Sequence, residues 1–352
     1  MVFTYINGFH DTANSVATVI STKVLSPRQA ILLAAVTNLI GAFFGSAVAA
    51  TIAAGLVDVQ VATMPVLCCA MVAAIAWNLI TWWSGLPSSS SHALIGGLCG
   101  AVLAASGNRW SSIIWSAPSK IHWWLGKGVL WKVVVPMVSS PVVGFIAGFV
   151  LMTVLYVLLR NLRPITVNRV FSKLQLFSSA YLGFAHGTND AQKTMGIIAL
   201  ALVAGTVSGD FSTLPRWLLF LKTPAPLPGQ ALTIAPWIKI LCALTMCAGT
   251  AGGGRRIIKT LGQKMVKLHP VQGFASEATS ATVLVTAAHF GMPVSTTHAI
   301  TTSIMGAGCA KGFNALNLDV VERIVWAWVL TLPASAGVAY GLVKIARAFH
   351  WF

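Results

Sequence analysis

The chain has 352 residues, of which 56% are hydrophobic and only 9% charged, whereas soluble globular chains carry about 25% charged residues. So few charges cannot coat a water-facing surface, which excludes a soluble globular domain. The formal net charge of +16 could suit nucleic acid, but the basic residues sit in short connections between apolar runs and form no continuous face; sorting of positive loops to the cytoplasm accounts for them better, and no nucleic-acid partner is expected.

In chain order, apolar runs fall near 30–54, 63–84, 92–106, 132–159, 174–206, 235–254, 271–290, 298–310 and 324–346. Several reach the roughly 20 residues that cross about 30 Å of hydrocarbon as helix. Strand alternation is absent, so helices must satisfy the backbone. The predicted class is an all-α integral membrane protein, multi-pass in the inner (plasma) membrane, with the lipid bilayer as its surroundings. Arg160, Arg163, Arg169 and Lys173 fill one connection, and Arg255, Arg256, Lys259, Lys264 and Lys267 fill another. Both are placed in the cytoplasm, and the loop with Lys120, Lys127 and Lys132 falls on the opposite side. Cys68, Cys69, Cys99, Cys242, Cys247 and Cys309 show no metal-ligand spacing and read as buried free thiols. No cleavable signal peptide is visible.

Two motifs occur twice, which sets the architecture. Gly8-Phe9-His10-Asp11-Thr12-Ala13-Asn14 is answered by His186-Gly187-Thr188-Asn189-Asp190-Ala191-Gln192-Lys193. Gly85-Leu86-Pro87-Ser88-Ser89-Ser90-Ser91-His92-Ala93 is answered by Gly291-Met292-Pro293-Val294-Ser295-Thr296-Thr297-His298-Ala299, and Gly100 and Gly306 extend that match. The order is the same in both halves, and counting passes makes the two Gly-x-Pro hairpins open from opposite sides. The expected fold is therefore a polytopic transporter of two inverted repeats with discontinuous helices and two helical hairpins. Residues 1–106 form the first inverted repeat, 107–173 a connecting loop and transmembrane helix, 174–310 the second repeat, and 311–352 a C-terminal transmembrane helix. Segment 174–206 is long for one span, and a break is expected at His186 to Asp190. By analogy a half-helix of about ten residues should precede Asp11, and because only Met1 to Ile6 stand before Asn7, the first repeat is expected to lack that half-helix.

Only seven acids occur, and Asp11, Asp190 and Glu277 lie inside apolar segments. A carboxylate at the bilayer midplane costs about 2.5 to 3.5 kcal/mol on insertion scales, so each is a functional candidate. For Glu277 the alternative of a partner for an interior polar group carries equal weight. A helix that starts after Gly-x-Pro presents unpaired N–H groups and a positive dipole end, which suits an anion. Ser89, Ser90, Ser91, Ser295, Thr296 and Thr297 are accordingly candidates to clasp a tetrahedral oxyanion, against the alternative of simple caps. His10, His92, His186 and His298 flank the same motifs and are candidates for a proton relay or for fixing the hairpins. No pair of these histidines has metal-ligand spacing, so no metal site is expected. Lys193 stands where the first half has Asn14, and its ammonium would repel sodium, which points to the proton as the driving ion.

At these residues the chain resembles the inorganic phosphate transporter (Pit) family over essentially its whole length. Gly8 to Asn14 is similar to its first motif and His186 to Gly196 to its second. The Asn-Asp-x-Gln-Lys form is similar to bacterial low-affinity proton-coupled permeases. The resemblance implies symport of protons with phosphate or its complexes with divalent metal, and often a homodimer. It also implies that Asp11, Asn14, Asn189 and Asp190, with Lys193, form the ion-coupling region, and that Ser89 to Ser91 and Ser295 to Thr297 clasp phosphate. No cofactor is implied. Sulfate is a rival within this resemblance, but paired carboxylates favour an anion that can itself donate a hydrogen bond. Sodium coupling is a second rival and an anion channel a third. An intramembrane hydrolase would need a nucleophile elbow, and no Gly-x-Ser-x-Gly occurs.

Overall fold

The computed structural model describes residues 1–117, 126–224 and 233–350, so Lys120 lies outside the described residues. Among these, the chain is helical with no strand, only two isolated bridges. In order come α1 (Val2–Ser21), α2 (Pro27–Gly41), α3 (Ala47–Ala54), α4 (Met64–Ser84), α5 (Ser90–Ala105), α6 (Val135–Leu159), α7 (Pro164–Val207), α8 (Pro236–Gly252), α9 (Arg255–Lys259), α10 (Pro270–His289), α11 (Thr296–Cys309) and α12 (Leu318–Ala348). Proline opens α2, α4, α7, α8 and α10 within the first two positions, where its fixed φ and missing N–H cost nothing.

The stretches Met64–Ser84, Leu130–Leu159 and Leu318–Ala348 are long and apolar enough to cross a membrane. On α6 the division of faces is read directly from the four-residue spacing. Val138, Val142, Ile146, Val150 and Val154 point outward, whereas Pro136, Ser140, Gly144, Gly148 and Met152 are buried. The inner Gly144 and Gly148 let α11 approach closely, as small residues do between membrane helices. All six cysteines are free; Cys242 and Cys309 are buried as expected, but Cys68 lies on the exposed side of α4.

Two expectations about helix breaks are corrected. The aspartate helices are unbroken: α1 runs from Val2 to Ser21 through Asp11, and α7 runs from Pro164 to Val207 through His186 to Asp190. At 1.5 Å per residue, α7 is about 66 Å long, twice the hydrocarbon thickness. Its first turns are exposed, with Arg169 and Lys173 outward; Phe171, Gln175 and Ser178 are buried about one turn apart, and burial is nearly complete from Leu182. The glycines of these segments serve close packing. A Cβ at Gly8 or Gly187 would meet the backbone of α8 or α2 inside 3.0 Å, and one at Gly249 or Gly41 would meet α1 or α7 equally closely.

The interruptions sit in the helices packed on α1 and α7. The apolar run 30–54 is divided into α2 and α3 around Gly45 (φ +79°), and α8 stops before α9 at Gly253 (φ +67°). Exposed backbone in hydrocarbon must be satisfied by protein, and the motif residues do this. Gln192 of α7 accepts from Val48 N–H (3.0 Å) and donates to the Phe44 carbonyl (3.2 Å). Thr12 of α1 donates to the Thr250 carbonyl at the end of α8 (3.1 Å).

The two expected helical hairpins are present, α4–α5 and α10–α11, with matching turns. Gly85 (φ +66°) and Gly291 (φ +64°) end the first helices in the left-handed region. Leu86 N–H bonds the Thr81 carbonyl and Met292 N–H the Ala287 carbonyl, both at 2.9 Å, a closure that satisfies the last free carbonyls. The packing partners also correspond: α1 lies on α8 as α7 lies on α2, and α5 lies on α12 as α11 lies on α6.

Candidate functional site

Both hairpin tips meet in the interior. Ser91 Oγ donates to the Val294 carbonyl (3.2 Å), and the His92 and His298 rings stand edge to face with centroids 4.9 Å apart. Because each tip begins a helix, α5 and α11 direct their first N–H groups, those of Ser90, Ser91, Thr296 and Thr297, toward one region. Ser89 and Ser295 are the caps of these helices: their hydroxyl oxygens accept from His92 N–H (3.2 Å) and His298 N–H (3.1 Å). Two of the six clasp candidates thus spend their acceptor on the local fold.

The two aspartates converge on these tips. Asp11 receives Ser90 Oγ on one carboxylate oxygen (2.5 Å) and His10 Nδ1 on the other (2.7 Å). His10 Nε2 is in turn 3.2 Å from Thr81 Oγ1, which bonds Ser88 Oγ (2.7 Å). Asp190 receives Thr296 Oγ1 (3.4 Å) and forms an ion pair with Lys193 Nζ, while His186 Nε2 lies 3.2 Å away. Ser90 and Thr296 occupy identical offsets in their motifs, so each aspartate is held by a hydroxyl from the hairpin of its own half. Asp11, Asp190 and Lys193 are all at most 1% exposed. Asn14 links the halves by donating to Thr297 Oγ1 (2.9 Å) and Thr296 Oγ1 (3.3 Å).

Ligand atoms of Asp11, His186 and Asp190 lie within 4.8 Å of one another, close enough to share one cation. The expectation of no metal site rests on the histidines alone. This set joins α1 to α7 and includes His186 and Asp190 one helical turn apart. The four histidines divide: His10 and His186 touch or adjoin carboxylates, whereas His298 is packed between His92 and the Trp328 ring (centroids 4.0 Å). His92 and His298 therefore fit the hairpin-fixing alternative. Buried Asn189 has both amide atoms unpartnered by protein, as are the hydroxyls of Ser15 and Thr194 four residues beyond each aspartate. These atoms suit a polar ligand, since buried polar groups are rarely left unpaired.

Glu277 has its own buried shell: Thr18 Oγ1 (2.5 Å), Gln175 Nε2 (3.0 Å) and Ser178 Oγ all donate to it. It is the partner of interior polar groups, and Gln175 and Ser178 were not legible as such because they come from another helix. Trp328 was also missed. Its indole N–H donates to the Pro87 carbonyl of one hairpin (3.0 Å) while its ring covers His298 of the other.

A protein described as a probable low-affinity inorganic phosphate transporter from Mycobacterium bovis is 43% identical over 99% of this chain and 77% of its own length. One so described from Bacillus subtilis is 38% identical, over 98% and 95%. A solved structure titled the sodium-dependent phosphate transporter has the same fold, with a TM-score of 0.75 at 23% identity over 99% of this chain and 96% of that one. Residues 7–339 match the model of the phosphate transporter family; the chain belongs to that family and is a multi-pass membrane transporter.

Proposed function

We propose that the chain moves inorganic phosphate, alone or as a complex with a divalent metal, by proton symport through alternating access. The carrying observation is the ammonium of Lys193 on Asp190, both fully buried. A fixed cation occupies a carboxylate oxygen that a sodium site would need, which leaves the proton as the coupling ion. Phosphate is clasped by the first N–H groups and hydroxyls of Ser90, Ser91, Thr296 and Thr297, with Ser89 and Ser295 shaping the turns. Asp11, Asn14, Asn189 and Asp190 form the ion-coupling region, and His10 and His186 are placed to exchange a proton with the two aspartates.

The reading rests on residues 1–106 and 174–310 acting as inverted repeats, joined by 107–173 and followed by 311–352. It is supported by matching hairpin turns and by two helices that touch through their first turns. The rocking of such halves around a fixed site is a known transporter design. Residence in the inner membrane and a homodimer belong to the same proposal. Sodium coupling is the second reading, favoured by the clustered Asp11, His186 and Asp190 ligand atoms.

Radiolabelled phosphate uptake into proteoliposomes separates the two. The proton reading expects uphill accumulation driven by an inward proton gradient without sodium, competed weakly by sulfate, and lost in Asp190→Asn. A wild-type requirement for sodium overturns the coupling assignment, and undiminished accumulation by Asp190→Asn removes Asp190 from the mechanism.

A further inference from the structure

A cavity of about 340 Å³ lies away from the central site, where the end of α6 and the start of α7 meet the start of α10 and the residues after α11. Arg160, His269 and Lys311 line its polar side, and Leu159, Val167 and Val271 its apolar side. Lys311 Nζ stands over the Tyr156 ring at 5.5 Å. Among the described residues, no acid lies within ion-pair distance of Arg160, His269 or Lys311, because every described ion pair belongs to Asp11 or Asp190. The α7 and α10 helices also begin at this cavity, at Pro164 and Pro270, adding positive dipole ends beside Arg160 and Lys311; the His269 side chain caps α10 by accepting from the Gln272 N–H. Like charges gathered this closely favour an anion between them.

We propose that this cavity binds the phosphate headgroup of an anionic phospholipid. The apolar wall separates this occupant from free phosphate, which would use the cations but not Leu159, Val167 and Val271. Continuity with the outer face of α6 adds to the case. Val150, Val154, Val157 and Leu158 are exposed along the helix that leads to Arg160, so an acyl chain can lie on that ridge while its headgroup meets the cations. Basic pockets at the cytoplasmic ends of membrane helices take anionic headgroups in this way, and the arginine-rich connection at 160–173 is one of the two that charge sorting assigns to the cytoplasm. The bound lipid would tie the open end of the α10–α11 hairpin to the α6–α7 connection. The proposal is independent of which ion drives transport.

The test uses the purified full chain in detergent, with phosphatidylglycerol, phosphatidylcholine or inorganic phosphate added. Thermal unfolding and the number of lipids retained in native mass spectrometry are measured. The double variant Arg160→Gln, Lys311→Gln removes two cations that are exposed and therefore not needed for folding. Lys264→Gln, Lys267→Gln removes the same charge elsewhere. The wild type and the second variant are expected to retain phosphatidylglycerol and be protected by it, and the first variant to bind it about tenfold or more weakly. Equal retention by the first variant, equal loss in both variants, equal protection by phosphatidylcholine, or protection by inorganic phosphate that the first variant loses would each overturn the assignment.

Discussion

Replacing Lys193 by Asn tests the role of the fixed cation, because it places the Asn14 side chain of the first half at the matching position of the second. Lys193 and Asp190 are both fully buried and paired. Removing one partner of such a pair costs about 3–5 kcal/mol, which is roughly two to four orders of magnitude in an equilibrium constant. Asp190 keeps Thr296 at 3.4 Å and His186 at 3.2 Å, but Thr296 carries no charge. The carboxylate must then take a proton or a metal ion. A sodium ion bound among Asp11, His186 and Asp190, present at about a hundred times its dissociation constant, would return about 2.7 kcal/mol. That offsets most of the lower figure and about half of the upper one. The assay is thermal unfolding of wild type and variant in sodium chloride against choline chloride, with phosphate uptake into proteoliposomes in both salts. The variant is expected to unfold at lower temperature in choline, to regain part of the difference in sodium, and to lose sodium-independent uptake about a hundredfold or more. The wild type should respond to neither salt. Sodium stabilising the wild type as much as the variant, or wild-type uptake rates from the variant in choline, would refute the fixed-cation argument.

Gly187→Ala drives a methyl group into the α2 backbone at Asn38 and is expected to cost about 1–3 kcal/mol through overpacking; Gly341→Ala, which meets nothing within 4 Å, is the control in the same unfolding measurement. Gln192→Leu keeps the volume but strands Val48 N–H and the Phe44 carbonyl, each worth about 1–3 kcal/mol when buried and unpaired. Hydrogen exchange should quicken at the α2–α3 break before it does in α4, and uniform exchange across both would contradict the local role. Trp328→Phe retains a ring against His298 but loses the donor to Pro87, a bond worth about 1 kcal/mol. Faster cross-linking of cysteines introduced at the hairpin tips is the expected sign of loosened tips, and an unchanged rate would mean that Trp328 holds neither.

The recurrence of Asp11 with Asp190 and of the Gly-x-Pro-Ser turns was readable from residue types and offsets, because a left-handed glycine, a cap three residues before a histidine and a carboxylate in an apolar run each have a local cause. The hairpins at Gly85 and Gly291 follow from that local chemistry. So does membrane residence, since 9% charged residues cannot solvate a surface of this size. Helix continuity was not local. Gly8 and Gly187 are equally compatible with a break and with close packing, and only the neighbouring backbones of α8 and α2 decide between them. The same holds for Gln192, whose amide is read as a cap once the α2–α3 interruption lies beside it. The shared Asp11, His186 and Asp190 cluster, the Glu277 shell and the span of Trp328 between hairpins join residues from distant parts of the chain. Sequence spacing limits contacts along one helix. Which helices face each other is set by the packing of whole surfaces, and that is decided only when the chain folds.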